Sequence, residues 1–459
     1  MLPYRSVKSV TLALSLALGV GLGLGGAAMA QSQLPDHVVS QFGAPPPVPA
    51  GELPPDLAQA VQVAFVDSIT QSGWGPDQTI ALETIKASGD PRLAWIISDL
   101  LRFVTNRDLS LTLADTAAAL LQVDAPRSNP WGAITDPLIA WDIPAPPDYL
   151  AIKRQIFTTI IPGWDQIFVD GDVDWRLVSW GGVLIDDRPF DTTDERCNCI
   201  PAADNPATTD AEGATWLQDD DIIFGIEING EARAYPRQIM EVREMVNDTL
   251  GGRDLGIPYC TLCGAAQAYF TDQLPAGIKR PVLRTSGLLS RSNKVMYDLT
   301  SWSVFDTFTG EALTGPLAQA GIQLDQATVV TSTWGAWKAA YPETTVLAEY
   351  LALGRDPDFR NTRDANGPIF PVGDVDPRLP IQEDIVGVIT PSGQPVAFPR
   401  ALAMAALQKG EAVTHDGVTL AIDAGGLRAL GPYGGDLGSH QAFWFAWSQF
   451  HPDTVLWPQ

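Results

Sequence analysis

Cysteine and histidine are both scarce in this chain, with four of each in 459 residues. So few cysteines exclude a scaffold built from disulfides, and a hydrophobic core must hold the fold. Hydrophobic residues at 45%, including fourteen Trp, can supply one. His37, His415, His440 and His451 stand at no metal-ligand spacing, which argues against a histidine-built metal site. Positive charge is short too: 29 Lys and Arg against 54 Asp and Glu leave a formal net charge of -25. Such a surface repels phosphate backbones and anionic membranes, so nucleic acid is not an expected partner. Beyond the first thirty residues no apolar run is long enough to span a bilayer. There is no Walker loop, no Gly-x-Ser-x-Gly elbow and no His-Glu-x-x-His helix. Asp170-Gly171-Asp172-Val173-Asp174 begins like a calcium loop, but Trp175 stands where glycine is needed and Gly181 where a bidentate Glu is needed. An EF-hand is excluded on those two positions.

What is present divides into segments. Residues 1–30 read as an export signal: Arg5 and Lys8, then an uncharged apolar run from Val10 to Leu24, then Ala28-Met29-Ala30 as a cleavage site. The expected compartment is periplasmic or extracellular, with no stable membrane insertion once the signal is removed. Residues 31–55, with Ala44-Pro45-Pro46-Pro47-Val48-Pro49, read as an extended Pro-rich linker. Helical periodicity fills residues 56–175. Gly89-Asp90-Pro91 supplies in turn a helix end, an N-cap and a first helical residue, so it marks a helix hairpin. This part is either a HEAT-like stack of helix pairs or a small bundle. Strand signals take over in residues 181–350. Ile222 to Ile228 alternates, Asn229-Gly230 turns and Glu231 to Tyr235 returns, while Gly251-Gly252 marks a second hairpin. The expected fold class is therefore α+β: an N-terminal α-helical domain followed by antiparallel β-rich structure.

The β-rich part repeats itself. Gly230-Glu231-Ala232-Arg233-Ala234-Tyr235-Pro236-Arg237 matches Gly393-Gln394-Pro395-Val396-Ala397-Phe398-Pro399-Arg400. Further on, Trp334-Gly335-Ala336-Trp337 matches Trp444-Phe445-Ala446-Trp447, and Tyr341-Pro342-Glu343-Thr344 matches His451-Pro452-Asp453-Thr454. Matching blocks in one order predict a duplicated β-rich domain: copy one over 181–350, a linker over 351–378, and a shorter copy two over 379–459. Only copy one carries Tyr259-Cys260-Thr261-Leu262-Cys263-Gly264. Cysteine chemistry is therefore expected in copy one alone.

A Cys-x-x-Cys turn puts two sulfurs on one side of a tight loop. Three states are open: disulfides that staple loops, a soft-metal site, or a redox dithiol. The metal reading would recruit Cys197 and Cys199 beside Cys260 and Cys263 as four thiolates. Copper or zinc suits such donors, and Met296 offers a further soft ligand for copper. The redox reading needs Cys260 accessible with a lowered pKa.

Several blocks occur in order: Ile200-Pro201-Ala202-Ala203-Asp204-Asn205-Pro206, Val246-Asn247-Asp248, the Tyr-Cys-x-x-Cys core, Ser286-Gly287-Leu288-Leu289, Met296-Tyr297-Asp298 and Thr309-Gly310-Glu311-Ala312. Together they resemble the bacterial domain-of-unknown-function family numbered 3179, from about Ile200 to the C-terminus. The resemblance implies no activity. Arg284, Ser286, Asn293, Asp298 and Glu311 fall among its motifs, and either line a pocket with the cysteines or satisfy turns and strand ends. In the family pattern a His precedes Val-Asn-Asp where this chain has Arg243, a cation that cannot act as metal ligand or base. The expected function is a cysteine-centred site for soft-metal binding or thiol redox. The alternative is a non-enzymatic module, with a protein or small-molecule partner, whose disulfides only brace the fold.

Overall fold

The computed structural model describes residues 34–349 and 367–458, apart from Thr193 and Glu195. The expected export signal and most of the 351–378 linker lie outside the described residues. Among the described residues no helix is long and apolar enough to cross a membrane.

The expected helix hairpin forms at its marked turn. The helix Pro76–Ser88 ends on Gly89, which adopts the left-handed φ of 64° that glycine tolerates. The Asp90 side chain accepts a hydrogen bond from the Arg92 backbone, and the buried helix Ala94–Leu101 follows. Trp95 donates to the Ile143 carbonyl at 2.7 Å. The helices do not form a core of their own. One cluster runs from Val38 and Phe65 through Trp95, Phe157 and Trp164 to Leu288, Tyr297 and Val304 on the first sheet. Lys153, fully buried, pins the two layers with bonds to Asp99, Tyr149 and the Val178 carbonyl.

The Pro-rich stretch is corrected by its contacts, because it is no freely extended tether. Asp36–Phe42 is helical, Val38 is buried in the core, and the carbonyls of Gly43 and Gly51 accept from Trp141 and Arg92. Residues 367–378 likewise dock: Val372 and Gly373 donate to Asp136, and Phe370 packs on Trp131.

Mixed α+β is the observed class, with five small, mainly antiparallel sheets among the described residues. Both expected hairpins are formed, with left-handed φ at Asn229, Gly230, Gly251 and Gly252. The sheets are arranged as blades of a β-propeller rather than as two copies of a domain. This corrects the expected domain duplication, and the sequence repeat has a smaller extent. It is one sheet plus its helix. In the third sheet Ile222–Ile228 pairs antiparallel with Val330–Thr333 and Glu231–Pro236, and Thr345–Leu347 runs parallel to Glu231–Pro236. In the fourth, Asp384–Ile389, His440–Phe443, Pro395–Pro399 and Val455–Leu456 repeat that plan. Gly225 lies under Trp337 and Gly387 under Trp447, so close that a Cβ on either would stand 2.2 Å from the ring. The two indoles donate to Thr344 and Thr454 at 2.9 and 2.8 Å.

Candidate functional site

The strand Arg253–Cys260 pairs antiparallel with Met245–Leu250 on one side and Ala268–Phe270 on the other. Past Cys260 the chain turns at once, closed by the Cys263 backbone donating to the Cys260 carbonyl at 3.2 Å, and Ala265 returns beside Cys260. Gly264 makes the reversal possible with a φ of 59°. A Cβ there would also crowd Phe443, 3.0 Å away.

The turn leaves the Cys260 and Cys263 thiols 3.0 Å apart, each 3.5 Å from the Ser292 carbonyl. Asn293 Oδ1 lies 3.7 Å from the Cys263 sulfur. A disulfide needs about 2.05 Å between sulfurs, so closure is about 1 Å away. A metal held tetrahedrally at about 2.3 Å from each sulfur would need them about 3.8 Å apart. The observed spacing lies between the two values and favours neither.

Cys260 lines a cavity of about 300 Å³. Leu262, Val183, Ile200, Leu288, Leu289 and Phe370 form its apolar walls, and Thr261, Thr285, Ser286, Glu244 and Lys294 its polar ones. Cys263 sits behind Cys260, fully buried. Lys294 reaches the Tyr259 carbonyl at 2.7 Å, the Glu244 carbonyl, and the Glu244 carboxylate at 3.2 Å. Burial by itself would raise the Cys260 pKa. The hydrogen bond from Cys263, the Lys294 ammonium and the Lys294 backbone N–H outweigh burial and the opposing Glu244 charge, and hold the thiol below its usual range. Glu244 itself caps the helix Arg237–Arg243 with a left-handed φ of 52°, uncommon for a residue with a side chain. Its carbonyl also accepts from the Tyr259 backbone at 3.0 Å.

The two thiols lie in the first member of the repeat, and the second member packs against them. Ile385, Ala442, Trp444, Phe445 and Trp447 pack in one cluster with Cys260 and Cys263, and the Phe443 backbone donates to the Cys263 carbonyl at 2.8 Å.

The four-thiolate metal arrangement is not formed. Cys197 and Cys199 are disulfide-bonded to each other. Among the described residues no three His, Cys, Asp or Glu side chains converge so that they could hold a metal ion. Met296 packs in another cluster, with Met245, Tyr269 and Phe305.

The remaining expected site residues divide. Ser286 lines the cavity, with its hydroxyl donating to the Val295 carbonyl, and Asn293 adjoins Cys263. Arg243 is buried and paired with Glu349 at 2.8 Å. Arg284 is buried beside Asp204 and Asp186. Asp298 caps the turn at Thr300 and Ser301, and Glu311 is exposed. The Asn247 side chain bonds Asp204 and both backbone groups of Leu283, which sews the second sheet to the first. So one set of motif residues frames the fold and another frames the cysteines. Lys294 and Glu244 escaped the reading of the sequence. Their signal was nearness to motif positions, Lys294 beside Asn293 and Glu244 two residues before Val246-Asn247-Asp248.

A family of proteins of unknown function, DUF3179, matches residues 197–431, just over half of the chain. The chain belongs to this family. The match takes in the Cys197–Cys199 disulfide, Glu244, Cys260, Cys263 and Lys294, but stops short of Phe443 and Trp444, which pack with the thiols. No curated protein and no solved structure matches the chain.

Proposed function

We propose that Cys260 and Cys263 form a dithiol–disulfide exchange centre at the base of the cavity. The observation that carries this reading is the pair of thiols 3.0 Å apart, one of them on the cavity and beside an ammonium group. Cys260, as thiolate, attacks one sulfur of a substrate disulfide; the bond between the substrate sulfurs breaks and one leaves as a thiol. Cys263 then gives up its proton and attacks the Cys260 sulfur, which releases the second substrate thiol. One disulfide is thereby reduced to two thiols while Cys260 and Cys263 become a disulfide, and the reverse sequence oxidises a dithiol. Lys294 positions the loop and stabilises the thiolate, and the Ser292 carbonyl receives a thiol proton while either cysteine is neutral. The apolar walls suit a disulfide flanked by hydrophobic groups. Export, which the N-terminal residues predict, would bring the centre to a compartment where disulfides form.

The test is trapping. Cys263→Ser should accumulate a mixed disulfide between Cys260 and glutathione when treated with glutathione disulfide, whereas Cys260→Ser should not react at Cys263. Equal, slow reaction of both variants would remove the proposal.

A further inference from the structure

We infer that a second cavity, which neither cysteine lines, binds a free α-amino acid with an apolar side chain, its carboxylate on Arg291 and its ammonium on Asp306. The inference is independent of the exchange reading. The cavity measures about 280 Å³, and Leu177, Val178, Val304, Phe305 and Leu313 supply apolar walls. Arg291 and Gln449 line both it and a neighbouring cavity of about 330 Å³. Both side chains donate to the Val372 carbonyl, at 3.3 and 2.6 Å, so the guanidinium stands at the partition between the cavities. That is its one hydrogen bond among the described residues, and no carboxylate there lies within ion-pair distance of it. Asp174 and Asp142 are taken by Arg176 at 2.6 and 2.8 Å, and Asp374 lies 3.9 Å from His37. Burial lowers the Arg291 pKa against the pull of those three carboxylates. A guanidinium with free donors in such a place suits a carboxylate, which matches its planar fork.

The backbone points the same way. Arg291 opens the two-residue turn between Leu283–Ser290 and Asn293–Asp298, with a left-handed φ of 53°. Hairpin turns ordinarily place Gly, Asn or Asp there, so what arginine adds is its side chain. Asp306 follows Phe305, which pairs with Met296, and so stands four to five residues along the same strand from Arg291. At about 3.3 Å per residue that is roughly 13–16 Å of backbone, which leaves a gap between the two side chains. Asp306 Oδ1 accepts from the Phe308 and Thr309 backbones at 2.7 and 3.0 Å, and the carboxylate meets no cation among the described residues. Burial raises its pKa, with those two N–H groups opposing. The other charges on the cavity are engaged or exposed: Lys294 bonds Tyr259 and Glu244, Arg176 holds Asp174, and Asp172 faces solvent. An uncompensated cation and an uncompensated carboxylate each cost stability, and one zwitterion satisfies both. At roughly 30 Å³ per water-sized group the volume suits about nine heavy atoms, the number in leucine.

Equilibrium dialysis of the full chain against L-leucine tests the inference, beside isocaproate, which lacks the ammonium, and isoamylamine, which lacks the carboxylate. L-leucine should bind saturably, and each analogue should bind about tenfold or more weakly. Asp306→Asn keeps the acceptor that Phe308 and Thr309 use, so it should weaken leucine binding and leave isocaproate binding as it was. Arg291→Gly should lose both ligands while the melting temperature holds or rises, because glycine suits the turn. No saturable binding of L-leucine, isocaproate bound as tightly as leucine, or unchanged affinity in Arg291→Gly overturns the inference. Capture of glutathione at Cys260 is read separately, so the two readings fail independently.

Discussion

Removing the charge beside Cys260 should shift its titration upward. Lys294→Met keeps most of the stem and deletes the ammonium, which now touches the carbonyls of Tyr259 and Glu244 and the Glu244 carboxylate. An opposite charge within about 4–6 Å moves a pKa by roughly 1–3 units, and this one acts in a buried, weakly screened setting. Because part of the depression comes from Cys263 and from the Lys294 backbone N–H, which the substitution retains, the midpoint should rise without the whole depression being lost. The substitution also strips Glu244 of its partner at 3.2 Å and leaves a carboxylate facing the sulfur. Lys294→Met/Glu244→Gln should therefore fall back part of the way towards the wild type. The assay is the pH dependence of Cys260 alkylation, followed residue by residue by mass spectrometry. A midpoint that is unchanged or lower in Lys294→Met would refute the reasoning.

Three further outcomes follow from the packing. Gly225→Ala and Gly387→Ala should each lower stability by about 1–3 kcal/mol or more in urea unfolding, since the new methyl meets a buried indole at 2.2 Å; stability within error of the wild type would contradict the shared plan of the two sheets. Arg284→Met should cost about 3–5 kcal/mol by taking the guanidinium from the buried Asp204 carboxylate, Asp186 keeping its pair with Arg188, while the Cys260 alkylation midpoint stays put; a moved midpoint with intact stability would place Arg284 in the site instead. Burial holds His440 at about 3 and His451 at about 4, below the unfolded value near 6.5, so the unfolded chain binds their protons first. Their contribution is present above about pH 6.5 and is lost as pH falls towards 4; His451→Tyr, the residue that Tyr341 supplies in the other sheet, should remove about 2 kcal/mol of the difference in unfolding free energy between pH 7 and pH 5, and an unchanged difference would refute the assignment.

The legible parts of the sequence were local. Asn229-Gly230, Gly251-Gly252 and Gly89-Asp90-Pro91 each announce a turn through backbone conformations that few residues adopt, and all three turns are formed. The Cys-x-x-Cys turn was legible for the same reason. What stayed hidden depends on long-range register. Lys294 meets Cys260 only because Asn293–Asp298 folds back on Leu283–Ser290 and lies against the strand that ends in Cys260, a relation no spacing in the chain encodes. The repeat was visible as matching Trp, Pro and Thr positions, but identity along the chain says nothing of how many sheets lie between. Hence two sheets among five read as two domains, and the packing of Trp444 beneath the cysteines went unseen. The Pro-rich stretch misled because composition favours an extended chain but does not report the Trp141 and Arg92 donors that hold it.

The central claim is that Cys260 and Cys263 interconvert reversibly between dithiol and disulfide. Equilibrating the protein with a series of glutathione redox buffers, quenching with acid and counting alkylated thiols at each cysteine by mass spectrometry tests it directly. The account predicts one two-electron transition in which Cys260 and Cys263 gain and lose reactivity together, with the fold retained on both sides. Thiols that stay reduced across the whole series, or that oxidise only as the protein unfolds, would contradict it.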